Sequence, residues 1–450
     1  MPGGSRPNGR SCSRWPGSSR ASAGGPGSGT GPREEGGRRV TSAGDQSRIE
    51  VLDVIRGLAV FGILLMNMRF YSTPLQAIQW QVELWPGFWD RLTTLLLRVA
   101  VEGKFLSLFA LLFGYSMVIL WERTVERGGR FWTLWLRRMA SLLILGLIHG
   151  LLIWYGDILF HYALLGVFLL LFHRRQPRTL LVWAVLFFVL IPFLLVFPLV
   201  VPPDVSEELV QEFDAGPAPE ELEQAIAAET AVYQSRDIGA IQRQRERDWI
   251  LSISNGLAYY PTLFGLFLVG ASFAKLRVLH HAAEHHELLA RLAAVTGILG
   301  FGSILAGFAL IHWHFTPGSW QALVVESLQV LVGAPLVALC YFALLARVFQ
   351  TPRGERILRP LAAVGRLSLT NYIGQSVICT LIFYGYGLGL FGKVGPFAAS
   401  WLAVAIFAFQ ILWSRWWLEQ YRIGPLEWLW RIPTYLSVPP LKRAEQAAEK

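Results

Sequence analysis

Residues 179–201 read TLLVWAVLFFVLIPFLLVFPLVV and contain no charged side chain. A helix of about 20 apolar residues is long enough to cross the hydrocarbon core of a bilayer, which is roughly 30 Å thick. Apolar runs of similar length recur between Val51 and Trp417, separated by charged segments. In lipid a helix satisfies its own backbone hydrogen bonds, whereas an irregular chain does not. The pattern therefore predicts an integral membrane protein built from α-helices.

The composition supports the same class. Hydrophobic residues make up 53% of the chain and charged residues only 16%, whereas soluble domains carry about 25% charged residues. The net charge is +9, but the arginines collect between the apolar runs, where membrane topology explains them. We therefore expect the lipid bilayer as a partner, and no nucleic acid.

Ten spans are predicted, at residues 52–68, 105–121, 139–155, 158–172, 179–201, 249–273, 291–312, 320–346, 367–391 and 396–414. Residues 85–101 form an amphipathic stretch that we expect along the membrane surface. The fold class is thus an all-α polytopic membrane protein. Its parts are a disordered cytoplasmic tail at 1–47, a five-span half at 48–201, an extracytoplasmic helical loop at 202–248, a second five-span half at 249–436 and a cytoplasmic tail at 437–450.

The orientation follows from the alternation of basic and neutral loops. The loop between spans two and three contains Arg123, Arg127, Arg130, Arg137 and Arg138, and the loop after span eight is equally rich in arginine. Residues 313–320 contain no Lys or Arg. Because basic loops stay in the cytoplasm, both termini are predicted to be cytoplasmic.

Ionisable residues inside spans are candidate functional residues, because a charge in hydrocarbon needs a partner or a cavity. Asp53 and Arg56 lie three residues apart at the start of span one, with Asn67 three turns further on. One interpretation is an ion pair at the membrane interface. The other is an anionic-ligand site in which Arg56 grips a phosphate or carboxylate and Asp53 holds Arg56 in place.

A second group surrounds the turn between spans three and four. His149 precedes Gly156 by seven residues and His161 follows it by five, so the two histidines are expected at similar depth on adjoining helices. Asp157 shares a helical face with His161 and is also a good N-cap for span four. Two His and one Asp near one membrane face favour proton transfer, with hydrogen-bonded packing as the alternative.

Four further polar residues are candidates for substrate binding. Lys104 follows Glu102 at the mouth of span two, and Glu326 on span eight needs a partner such as Lys104, Arg69 or a histidine. Asn371 and Gln375 share a face of span nine, where they either join helices or line a substrate path. The tract of His280, His281, His285 and His286 is interpreted as a solvated loop, so no metal site is predicted.

Six segments together resemble the YeiB-like family of bacterial membrane proteins, whose C-terminal half is called domain of unknown function 418. They are RIEVLDVIRGLAVFGILLMNM, KFLSLFALLFGYSM, IHGLLIWYGDILFHYALLG, VGRLSLTNYIGQS, GLGLFG and YRIGPLEWLWRIPTY, spread over residues 48–436. The resemblance implies a multi-pass protein of the bacterial plasma (inner) membrane.

The opening motif, Asp-x-x-Arg-Gly with a downstream Asn, is also similar to that of transmembrane acyltransferases, including the lysosomal enzyme that acetylates heparan glucosaminide. That enzyme passes an acyl group from acetyl-CoA through a histidine just beyond span one, whereas residues 68–101 here contain no histidine. The resemblance therefore implies that His149 or His161 replaces it.

Two functions follow as hypotheses. In the first, a transmembrane acyltransferase binds a cytoplasmic acyl-CoA at Asp53 and Arg56, and His149, helped by Asp157, deprotonates a small-molecule, lipid or glycan acceptor. No resident cofactor is expected, and acyl-CoA is the donor substrate. In the second, the same intramembrane residues form the path of a transporter or exporter.

Overall fold

The computed structural model describes residues 50–200, 217–315 and 319–443. These residues form helices joined by turns, which confirms the prediction of an all-α polytopic membrane protein. The predicted disordered tail at 1–47 and the first part of the predicted loop at 202–248 lie outside the described residues.

In chain order the α-helices are α1 (Glu50–Ser72), α2 (Leu75–Gln79), α3 (Phe88–Ala100), α4 (Lys104–Glu126), α5 (Phe131–Ile148), α6 (Leu159–Leu169), α7 (Pro177–Val200), α8 (Pro219–Gln234), α9 (Ile238–Gly256), α10 (Tyr260–Lys275), α11 (His286–His314), α12 (Trp320–Leu328), α13 (Ala334–Phe349), α14 (Pro352–Arg366), α15 (Ser368–Phe383), α16 (Pro396–Gln420) and α17 (Pro425–Tyr435). Single π-helical turns follow α5 (His149–Ile153) and α12 (Gln329–Gly333).

Within the described ranges, seven helical segments are long and apolar enough to cross a bilayer, and α3–α4, α9–α10 and α12–α13 each count as one of them. The apolar helices Leu159–Phe172 and Pro177–Phe188 are shorter. That the chain crosses the membrane ten times therefore remains a prediction. The predicted ninth span differs in length, because α15 ends at Phe383 and turns occupy the residues up to 395.

Helix α1 lies at the centre and packs against α4, α14, α15 and α16. Its crossing with α14 is very close: a Cβ added to Gly57 would lie 2.1 Å from the Leu361 carbonyl oxygen, and one added to Gly365 would lie 1.8 Å from that of Asp53. Small residues allow such backbone approach between membrane helices. Gly57 of the Asp-x-x-Arg-Gly motif therefore has a packing role.

Helices α8 and α9 occupy the second part of the predicted 202–248 loop and pack against the ends of other helices. Glu229 of α8 accepts hydrogen bonds from the backbone N–H groups of Leu75 and Gln76, at 2.6 and 3.2 Å. These donors lie in the first turn of α2, where no intrahelical partner is available. The carboxylate of Glu229 thus joins α8 to α2.

Candidate functional site

The site begins at the π-helical turn after α5. The backbone N–H of Trp154 donates to the carbonyl of His149 at 2.8 Å, a bond five residues long. The carbonyl oxygens of Leu151 and Leu152 accept instead from Gln242 and Arg245 of α9, at 2.8 and 2.7 Å. The last carbonyl groups of a helix have no intrahelical donor and are satisfied by outside ones. Helix α9 thereby stabilises the turn that positions His149.

His149 is the centre of a buried hydrogen-bonded chain. Its Nδ1 lies 2.8 Å from Asp157 Oδ1, and its Nε2 lies 2.8 Å from the Ser376 hydroxyl. The Ser376 hydroxyl in turn lies 2.7 Å from the hydroxyl of Tyr71. The side chains of His149 and Asp157 are both 0% exposed. Residues from α1, the π-turn segment and α15 therefore meet in one network.

The donors and acceptors of this chain can all be satisfied at once. An ionised Asp157 only accepts, so Nδ1 of His149 donates to it. Nε2 then accepts from Ser376, whose oxygen accepts from Tyr71. The order Ser–His–Asp matches that of a nucleophile, base and orienting carboxylate, although these residues are fully enclosed here.

Asp157 also organises the turn before α6. Its Oδ2 accepts from the backbone N–H of Phe160 at 2.6 Å, a capping bond of the predicted kind. The Tyr372 hydroxyl accepts from the Ile158 N–H and donates to the Gly156 carbonyl, both at 3.2 Å. Asp157 therefore both caps this turn and pairs with His149.

A cavity of about 370 Å³ adjoins the network, and we call it the central cavity. Apolar side chains make up most of its wall, among them Ile63, Phe105, Leu106, Leu263 and Val330. Asn67, Asp157 and His161 lie on the same wall. The His161 Nδ1 is 2.6 Å from the Tyr260 hydroxyl. The cavity thus brings together three predicted site residues from two distant segments.

Asp53 and Arg56 lie elsewhere on α1. Arg56 donates to Asp53 at 3.0 Å and to the Ser116 hydroxyl at 2.9 Å. Neither residue is on the wall of the central cavity. Arg56 and Asn67 are 11 positions apart, which corresponds to about 16 Å along a helix.

Lys104 and Glu326 have partners that were not predicted. The Lys104 ammonium donates to the backbone carbonyl of Arg98 at 2.5 Å. Glu326 accepts from Gln81 at 2.5 Å and lies 3.9 Å from the Arg98 guanidinium. Both partners of Glu326 come from segments outside the predicted spans, where hydropathy is uninformative.

Asn371 and Gln375 join α15 to α16. The Asn371 amide donates to the Ser414 hydroxyl at 3.0 Å, and the Gln375 amide donates to Gln410 at 2.8 Å. The Gln410 amide returns a bond to the backbone carbonyl of Asn371 at 2.9 Å. These contacts are those of helix-joining residues, and neither amide lies on the central cavity.

Sequence analysis did not select Tyr71, Ser376 or the α9 side chains as site residues. The hydroxyl of Ser376 in an apolar helix, one position after Gln375, was the available signal for that residue. Its pairing with His149 spans 227 positions of the chain and depends on helix packing.

Comparison with known proteins gives consistent matches. Residues 273–437 match the family model described as a protein of unknown function, DUF418. The chain is 37% identical over 414 residues to the uncharacterized protein YxaH of Bacillus subtilis (strain 168), which covers 88% of this chain and 96% of that protein. The chain belongs to the YeiB-like family.

Two more relatives match most of the chain. YeiB of Escherichia coli (strain K12) is 30% identical over 401 residues, covering 86% of this chain and 97% of YeiB. The uncharacterized 39.9 kDa protein in the amylase 3' region of Bacillus acidopullulyticus is 25% identical over 397 residues, or 86% and 94% of the two chains. These matches include both the α5–α6 turn and α15, so they cover the whole candidate site.

Proposed function

We propose that this protein is a transmembrane acyltransferase whose reaction takes place at the central cavity. The observation that carries the proposal is an apolar cavity of about 370 Å³ with Asn67, Asp157 and His161 on its wall. Small-molecule sites are apolar cavities of a few hundred Å³ with a few convergent polar groups. An acyl chain suits the apolar wall, and proton transfer suits the histidine.

The general base of the proposed reaction is His161. Both ring nitrogens of His149 are occupied and its ring is enclosed, so a substrate reaches it only if Ser376 or Asp157 moves. His161 is only half-buried, and one of its nitrogens pairs with Tyr260. When Nδ1 donates to that hydroxyl, Nε2 is the nitrogen that accepts a proton. The base role predicted for His149 stays a prediction.

In the proposed step the acceptor oxygen or nitrogen attacks the thioester carbonyl of an acyl-CoA. The new C–O or C–N bond forms, the C–S bond breaks, and the acceptor proton passes to His161 and then to the CoA thiolate. The amide of Asn67 is suited to donate a hydrogen bond to the oxyanion that develops on the carbonyl oxygen. The enclosed His149 chain holds Asp157 and the turn in position.

The proposal is tested with membrane vesicles, labelled acetyl-CoA or octanoyl-CoA, and the label recovered in lipid and glycan fractions. We expect His161→Ala to lower transfer by roughly 10²–10⁴-fold, the usual range for a general base. His312→Ala is the matched control, because His312 is exposed on α11. Wild type without transfer, or His161→Ala with normal transfer, contradicts the proposal.

A second candidate function is transport, and one observation favours it. Both π-helical turns border the central cavity, through Trp154 after the first and Val330 within the second. Interrupted helices around a site at membrane depth are common in transporters. Uptake or export of a labelled amphiphile by vesicles, without acyl transfer, would favour this function.

A further inference from the structure

Three adjoining cavities at the C-terminal end of α1 have Arg69 and Arg98 on their walls. Their volumes are about 350, 20 and 310 Å³. Arg69 belongs to the last turn of α1 and Arg98 to the last turn of α3. We call this group of cavities the arginine pocket.

Positive charge is in excess in the largest of the three cavities. Its wall contains Arg69, Arg91 and Arg98, with Glu83 as the acidic residue. Glu83 is already engaged by Arg91 in two bonds of 2.5 and 2.9 Å. The charges of Arg69 and Arg98 therefore have no carboxylate on this wall.

The side chain of Arg69 has neither a hydrogen bond nor an ion pair with any other residue that the structure describes. Glu102 and Glu326 attract it only from a distance. Glu326 itself is held by Gln81 at 2.5 Å and approached by Arg98 at 3.9 Å. A half-buried guanidinium without a counter-charge is costly, because such charges normally pair or line a cavity. A bound anion would remove that cost.

The arginine pocket adjoins the central cavity. Its smallest member shares Met66 and Glu102 with the central cavity, and shares Arg69, Thr73 and Arg98 with the largest member. Along α1, Gly62 on the central cavity and Arg69 in the arginine pocket are seven positions apart, or about 10 Å. The apolar wall of the central cavity thus lies beside two arginines.

We propose that the arginine pocket binds the phosphate or carboxylate head group of an anionic lipid whose apolar part enters the central cavity. Guanidinium groups recognise phosphate and carboxylate with paired, charge-assisted hydrogen bonds. A soluble anion would leave the apolar cavity unused, and a neutral lipid would leave Arg69 unpaired. The inference rests on the proposed function, in which an apolar chain occupies the central cavity.

The test is direct binding of fluorescent phosphatidylglycerol and phosphatidylcholine to the purified full-length protein in a neutral detergent. We expect wild type to bind the anionic lipid at least about tenfold more tightly, as for a charged hydrogen bond. Equal binding of the two lipids by wild type overturns the proposal without reference to any variant.

Variants then locate the site. Arg69→Gln combined with Arg98→Gln should remove the preference for phosphatidylglycerol, while Arg353→Gln, an exposed arginine at the start of α14, should keep it. A variant pair that retains the preference overturns the proposal. Leu263→Trp, which fills the central cavity, should weaken the binding of both lipids to the same extent.

Competitors separate the sources of the anion. Inorganic phosphate at the lipid's concentration should not displace the lipid, because it lacks the apolar part; full displacement overturns the proposal. Binding is measured without acyl-CoA, so it can succeed even when no transfer occurs. Loss of transfer with intact lipid preference therefore contradicts only the proposed function.

Discussion

At the residue scale, the His149 network joins three segments of the chain through buried hydrogen bonds. The side chains of Asp157 and His149 are both buried, and the free energy of such a pair depends strongly on both members. Removal of one partner leaves the other with an unmet charge or hydrogen bond. A structural role for His149 therefore predicts strong coupling between the two residues.

His149→Ala should lower the free energy of unfolding by about 3–5 kcal/mol, because the buried Asp157 carboxylate would keep only its bond from the Phe160 N–H. Adding Asp157→Asn to His149→Ala should restore part of the loss, since the amide carries no charge. Thermal unfolding in detergent of wild type, His149→Ala, Asp157→Asn and the double variant measures the coupling between the two residues. Losses that simply add in the double variant would contradict the pairing.

The polar residues of the site illustrate what a single sequence can predict. His149, Asp157, His161 and Asn67 were selected because each is polar within an apolar run, which is a local property. Ser376 and Tyr71 were not, because their roles depend on which helices become neighbours. The same limit applies to Glu326, whose partners Gln81 and Arg98 lie outside predicted spans.

At the element scale, helix crossings depend on glycine. Gly57→Leu should disrupt the α1–α14 crossing and lower the unfolding temperature strongly, because even a Cβ there lies 2.1 Å from backbone. Gly302→Leu on α11 is the matched control, with no atom within 4 Å of its Cβ. Equal unfolding temperatures of the two variants, measured by fluorescence in detergent, would exclude this close crossing.

Helix α8 is held on α2 by a carboxyl group sensitive to pH. Burial, and then repulsion from Asp248, raises the pKa of Glu229 from its usual 4.5 to about 7, against the hydrogen bonds from Leu75 and Gln76. The folded state therefore favours the protonated form. The contribution of Glu229 to the free energy of unfolding is therefore fully present below pH 4.5. It is lost as the pH rises through 7.

The free energy of unfolding of wild type should thus fall by up to roughly 3 kcal/mol between pH 4.5 and pH 7 through Glu229. Glu229→Gln should remove most of this dependence, whereas Glu223→Gln, exposed on the same helix, should retain it. Unfolding temperatures from pH 4.5 to 8 measure the effect. Identical pH profiles for wild type and Glu229→Gln would contradict it.

At the scale of the whole molecule, apolar run length and the distribution of arginine were enough to predict an all-α membrane protein. The length of the apolar run predicted the end of α15 poorly, because a helix that packs mostly against protein does not have to match the thickness of the bilayer. Its buried residues include Asn371, Gln375 and Ser376, which bond to neighbouring elements. The packing of α9 onto the π turn could not be predicted from the sequence either. Its hydrogen bonds go to the backbone carbonyls of Leu151 and Leu152, and these do not depend on residue type.

The orientation of the molecule is a separate prediction. Cysteine introduced at Glu223 should react with an impermeant maleimide from outside intact cells, and cysteine at Arg127 or Arg353 should react only after lysis. All three positions are exposed, and the native Cys340 and Cys379 are buried. Cys12, which lies outside the described residues, is replaced by Ser in every protein of this test. The opposite pattern would exchange the donor and acceptor faces.

Photo-crosslinking can test whether the cavity beside His161 holds an acyl group. The probe is a medium-chain acyl-CoA with a diazirine in its chain, followed by peptide mass spectrometry. The account predicts labels on Phe105, Leu106 and Leu263 that disappear with excess unlabelled acyl-CoA. Labels confined to lipid-exposed residues such as Ile298 and Trp313, or unaffected by the competitor, would contradict it.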